Sequence, residues 1–331
     1  MSDDTRFDYK HLGMGFLAIV ALAALSFIGV LVCAVCDPRQ FAFSYLFAFV
    51  FFFTISVGAL FWILIHHAVD AEWSVGMRRQ LENMAALVLA LAVLFVPLLF
   101  VAPSLWTWMQ HPLPAEKAAC LNRPFFWSRA ACYFVFFVVA AYLLRGFSIA
   151  QDQNGSARYT LLSRRITFIS LIPFGLCLTF ATVDWLMGLD YRWASAIWGV
   201  YLFAGSILSA LCVLVLIITG LRRAGYFNGI VTLEHYQILG KLLLAFTIFW
   251  AYIAYSQYLL IWYANIPEEA VYFSRWNTGS WQTLSVFLVV GHFFVPFLLL
   301  LPGLGKRKPA FLCGVAIWIL LMHLLDCYLI V

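Results

Sequence analysis

Phe41 to Ile65 is a run of 25 residues without a charged side chain, and it continues directly into His66-His67-Ala-Val-Asp70. A run of that length reads as a membrane-spanning helix. The chain therefore closes one span with two imidazoles and a carboxylate. Ionisable groups at such a depth are costly and mark functional sites. If the helix is unbroken, His66 stands four residues and His67 three residues before Asp70, so both pairs share a face. Imidazole titrates near neutral pH, which suits the cluster to carrying protons.

Other polar side chains fall inside apolar runs. His323 and Asp326 form a second i,i+3 pair, Asp184 lies late in another run, and His292 lies near the middle of a third. Lys241 and Tyr255 share one predicted helix with Tyr252, Ser256, Gln257 and Tyr258. Chains of Asp, Glu and His are the usual makings of a proton relay. Each position also has a plainer reading. Asp70, Glu72, Arg78 and Arg79 fit a solvated interfacial loop, His66 and His67 polar caps, and Asp184 the cap of its helix. Lys241 can snorkel, His292 can be a hydrogen-bonded core residue, and the tyrosines can be packing.

Metal chemistry is tested by spacing. A haem b between helices needs two axial histidines at matching depth. His66 or His67 with His292 is the one conceivable pair, and its depths differ. Cys33 and Cys36 form a C-x-x-C at the end of a predicted span. Without a second pair they read as small hydrophobes. The expectation is that this chain binds no metal and carries no redox centre itself.

These residues must be held by membrane helices. The sequence is 65% hydrophobic and 11% charged, with a mean hydropathy of +0.95, which excludes a soluble domain. The net charge of +5 comes from short separate loops rather than a basic stripe, so nucleic acid is not expected as a partner. No cleavable signal peptide is apparent. Nine helices are predicted, at about 12–36, 41–69, 84–109, 125–146, 165–186, 192–221, 236–265, 277–302 and 309–331. With a cytoplasmic N-terminus, fourteen of the 20 Lys and Arg residues, Arg6 and Lys10 among them, face inward. That satisfies the positive-inside rule, while tryptophan gathers at the outer interface.

The chain also repeats itself. Tyr45-Leu-Phe-Ala48 matches Tyr201-Leu-Phe-Ala204, and Leu81-Glu82 matches Leu233-Glu234. Arg165 precedes Asp184 by 19 residues, as Arg307 precedes Asp326. The order implies two four-helix units of the same orientation, a known membrane architecture. The expected division is 1–40 for an N-terminal segment and flanking helix, 41–190 for the first bundle and 191–331 for the second. The last helix reaches Val331 without a polar tail, and the expectation is that the full protein continues beyond it.

Four blocks carry a resemblance. They are Phe53-Thr-Ile-Ser-Val-Gly-Ala-Leu-Phe-Trp-Ile-Leu-Ile-His66-His67 through Arg78-Arg79, Thr179-Phe-Ala-Thr-Val-Asp184-Trp-Leu-Met-Gly-Leu-Asp190, Ala196-Ile-Trp-Gly-Val-Tyr201-Leu-Phe-Ala-Gly205, and Gln257 through Glu269. Together they resemble the second NrfD-like membrane subunit of bacterial alternative complex III. The resemblance implies an all-α polytopic protein of ten helices, two four-helix bundles plus two flanking helices. It implies a complex of the bacterial inner membrane that passes electrons from quinol to a cytochrome c or a terminal oxidase. The partners so implied are an NrfD-like sister subunit, an iron–sulfur subunit and cytochrome c subunits. Haem c, iron–sulfur clusters and the main quinone site then lie in those partners, and bound lipids surround this chain. For this subunit the resemblance suggests a proton-conducting path and leaves a quinone-contacting surface open. The primary reading places His66, His67, Asp70 and Lys241 in a cytoplasmic half-channel. Tyr255, His323, Asp326 and Asp184 make the outer half, with His292 between. The alternatives are a purely structural anchor for redox subunits and a secondary transporter.

Overall fold

Every long apolar run of the sequence is helical in the computed structural model, which describes residues 14–331 except 112, 114 and 228. Arg6, Lys10 and the predicted start of the first helix at 12–13 lie outside the described residues. The helices are α1 (Met14–Cys36), α2 (Pro38–Ala68), α3 (Arg78–Ala86), α4 (Val88–Leu105), α5 (Ala115–Ala118), α6 (Arg123–Asn154) and α7 (Ala157–Trp185). They continue as α8 (Trp198–Arg223), α9 (Leu233–Ala264), α10 (Pro267–Trp276), α11 (Gly279–Val289), α12 (Val295–Leu300), α13 (Gly303–Lys306) and α14 (Pro309–Ile330). No strand occurs among the described residues. Among the described residues eight stretches are long and apolar enough to cross a membrane: α2, α3 with α4, α6, α7, α8, α9, α11 through α12, and α14. The protein is thus an all-α, multi-pass membrane protein. α1 adds a shorter apolar stretch, Val20–Cys36, that stands largely exposed.

Local chemistry sets the helix ends. Asp37 accepts a hydrogen bond from the Gln40 amide at 3.0 Å and is followed by Pro38, a side-chain cap with proline in the first turn. Asn122 caps α6 in the same way. Gly155 closes α6 with φ 63°, the left-handed cap that glycine adopts without strain. Two spans depart from the predicted form. Leu87 interrupts the third, so Leu81-Glu82-Asn83 lies inside α3 rather than before it. In the eighth, Val290–Phe294 forms a π-helical turn between α11 and α12.

α2 and α8 occupy the centre. They bury 67% and 78% of their most apolar 18 residues, whereas the other spans bury 44% or less. They cross so closely that a Cβ on Gly58 would stand 2.0 Å from the Ser206 carbonyl oxygen. Trp62 Nε1 donates to the Ile207 carbonyl at 3.0 Å across the same contact. Ion pairs tie the loops at each end. Arg164–Asp70 (2.9 Å) and Arg307–Glu234 (3.0 Å) mark a basic end. Arg275–Asp190 (3.2 Å) marks the opposite, tryptophan-rich end with Trp106, Trp185, Trp193 and Trp198.

Candidate functional site

α14 turns its polar residues inward. Asp326 is 2% exposed. It accepts a short hydrogen bond from the Tyr201 hydroxyl on α8 and a longer one, 3.3 Å, from Trp250 Nε1 on α9. No cation pairs with it among the described residues. One turn earlier, His323 is 1% exposed, and its Nε2 lies 2.9 Å from Thr54 Oγ1 on α2. The Thr54 hydroxyl donates to the Phe51 carbonyl at 2.7 Å, so its oxygen is left as an acceptor. This assigns the proton of neutral His323 to Nε2. Its Nδ1 is a buried acceptor without a partner among the described residues. The ring fits because position 205 is glycine: a Cβ there would stand 2.9 Å from His323 Cε1 and 3.1 Å from Nδ1.

His292 completes the cluster. It is fully buried, and both ring nitrogens lack a partner among the described residues. Its ring lies 3.9 Å from the Trp250 ring and 6.5 Å from that of His323. The π-turn presents it, and Trp318 Nε1 donates to the adjacent Gly291 carbonyl at 2.7 Å. Turns of this type concentrate at functional sites. Towards the tryptophan-rich end the site is roofed by aromatics. Tyr201 stacks on Trp198 at 5.3 Å, and Tyr272 of α10 stacks on Trp193 at 4.1 Å. Burial, with the negative charge of Asp326, holds the Tyr272 phenol well above its ordinary range. The cluster thus offers a carboxyl, a phenol and two imidazoles in a buried setting, groups able to give and take protons.

The other predicted positions lie elsewhere. Asp184, 6% exposed, is held by Arg129 through two bonds of 2.7 Å and by the Tyr133 hydroxyl at 2.8 Å. Asp70 does not share a helix face with His66 and His67. α2 ends at Ala68, and Asp70 follows with φ 49°, exposed and paired with Arg164. The partner of His66 is instead Ser74, whose Oγ lies 2.6 Å from Nδ1. The two imidazoles meet edge to face at 4.9 Å, and His67 Nε2 is buried without a partner among the described residues. Lys241 is exposed on α9 at the basic end. Tyr255 is 63% exposed on the outside of α9, away from Asp326. Among the described residues no three His, Cys, Asp or Glu side chains gather as a metal-holding group.

No family model and no curated protein matches this chain.

Sequence reasoning had no warrant for Tyr201, Trp250, Thr54, Gly205 or the Arg129–Asp184 pair. Tyr201 was visible only as part of a repeated tetrapeptide and of one resemblance block, and Arg129 only as a basic residue near the start of a predicted helix. A charge count gave a usable signal for the last of these. An Arg and an Asp placed at similar depth in neighbouring apolar helices imply each other.

Proposed function

We propose that this chain is the proton-handling membrane subunit of a quinol-oxidising respiratory complex of the alternative complex III type. The observation that carries this reading is Asp326, a carboxyl buried between helices with hydroxyl and indole donors but no cation. An ionised carboxylate so placed is costly, whereas a carboxyl that gains and loses a proton has a use for the Tyr201 hydroxyl beside it. His323 then offers Nδ1 as the next acceptor, and His292 extends the acceptors towards the middle of the membrane. His66 and His67 form the mouth at the basic end, and the excess of Lys and Arg there supports reading it as the cytoplasmic side. Partner subunits supply haem c, iron–sulfur clusters and the quinone site, and the electron transfer itself belongs to them. The setting is the bacterial inner membrane.

Two measurements test the proposal. A tagged chain purified from native membranes should bring down polypeptides that stain for covalent haem, and its isolation without them refutes the assignment to the complex. In liposomes, the assembled complex with Asp326→Asn should continue to oxidise quinol while translocating fewer protons per electron. An unchanged proton-to-electron ratio refutes the role of Asp326.

A further inference from the structure

The basic end holds two lysines that no acid neutralises among the described residues. Lys306 closes α13 and is 6% exposed. Its stem lies across α9 at Gly240, where a Cβ would stand 2.8 Å from both Lys306 Cβ and Cγ. Glycine at that position opens a groove for the stem and brings Lys306 beside Lys241, the next residue of α9. Burial and the charge of Lys241 push the Lys306 ammonium below its ordinary range. Neither lysine has a hydrogen bond or ion pair among the described residues. Glu234, on the same helix, is engaged by Arg307, which also donates to Gln237 Oε1 at 2.8 Å. One turn before Gly240, Tyr236 carries the Arg222 guanidinium 5.7 Å from its ring centroid, and Arg222 Nη1 is buried without a hydrogen-bond partner among the described residues.

Snorkelling accounts for a buried lysine stem, but not for two ammonium groups brought together without an acid. An anion accounts for both. The surroundings select its kind. Seven and eleven residues along α9 from Lys241, Ile248 and Tyr252 stand 43% and 64% exposed on the same helical stripe. On α12 and just after it, Leu298 and Leu301 are 63% and 56% exposed. A phosphate at the lysines would thus continue into an apolar surface running along the span, the shape of a phospholipid. Basic pockets between membrane helices at the cytoplasmic side take such headgroups.

We propose that Lys241 and Lys306, flanked by Arg222, bind the phosphate of an anionic phospholipid whose acyl chains lie along α9 and α12. This inference is independent of the redox assignment. The test is native mass spectrometry of the full chain in neutral detergent with cardiolipin, phosphatidylglycerol, phosphatidylcholine or inorganic phosphate. The two anionic lipids should bind and phosphatidylcholine should not. Each of Lys241→Gln and Lys306→Gln should weaken anionic-lipid binding about fivefold. The paired Lys→Arg variant should retain it. Lys241 is exposed, so its Gln variant reports on binding even if the Lys306 variant fails to fold. Retention unchanged in Lys241→Gln, equal binding of phosphatidylcholine, or displacement by millimolar inorganic phosphate would each overturn the proposal.

Discussion

Asp184 and Asp326 stand at matching places in the sequence repeat, each 19 residues after an arginine, yet their surroundings are opposite. Asp184 is gripped by Arg129 through two short bonds and by Tyr133 through a third. Such a bidentate pair is strong and geometrically fixed. Asp326 has a tyrosine in a similar role, Tyr201, but the place of the guanidinium is taken by the Trp250 indole. One carboxylate has been committed to holding α6 against α7. The other has been kept free of a permanent counter-charge. The difference teaches that a buried acid gains chemistry when its cation is withdrawn, and that the helix contact must then be secured by something else. Here that is aromatic packing and hydrogen bonds from neutral donors.

The largest expected effect breaks the first half of this comparison. Arg129→Met strands Asp184 without its cation and should destabilise the protein by about 3–5 kcal/mol, read by thermal unfolding in detergent. Adding Asp184→Asn should recover most of that loss, and no recovery would mean that the pair is not the cause. Gly205→Ala should come next. It drives a methyl into the His323 ring, at a cost of about 1–3 kcal/mol, measured in the same way. Thr54→Val removes the oxygen that pairs with His323 Nε2 and should cost about 1–3 kcal/mol; a null result would mean that this hydrogen bond contributes nothing to stability. The smallest stability effect sharpens the second half. Asp326→Asn strands no charge, and Asn can donate to the Tyr201 oxygen while accepting from Trp250. Its unfolding should shift by no more than about 1 kcal/mol, although it removes the titrating group. A loss as large as that of Arg129→Met would erase the distinction between the two acids.

Much of the architecture was legible because hydrophobic length is a local property. Each span announced itself as an apolar run, and the caps at Asp37, Asn122 and Gly155 lie beside the residues they terminate. Asp326, His323 and His292 were legible as polar residues too deep to be incidental. What they touch was not. Tyr201 is 125 residues from Asp326 and Thr54 is 269 from His323, and no periodicity relates such positions. The His66–Asp70 pairing failed for a local reason instead. Helical spacing was extended past Ala68, where the backbone turns left-handed at Asp70 and gives its carboxylate to Arg164. The short window Ala68–Asp70 contains neither Gly nor Pro to announce that turn.

The π-turn at Val290–Phe294 has a rotational consequence. A regular helix advances about 100° per residue, and a π-turn holds one residue more than its length requires. Everything after Val295 is therefore set out of phase with everything before Val290 by about that angle. A single surplus residue works as a gear offset. It lets α11 and α12 be indexed separately against their neighbours, with His292 at the step between them. Removing the surplus residue would return the span to uniform pitch with both halves keeping their present faces, and the step that presents His292 would be lost.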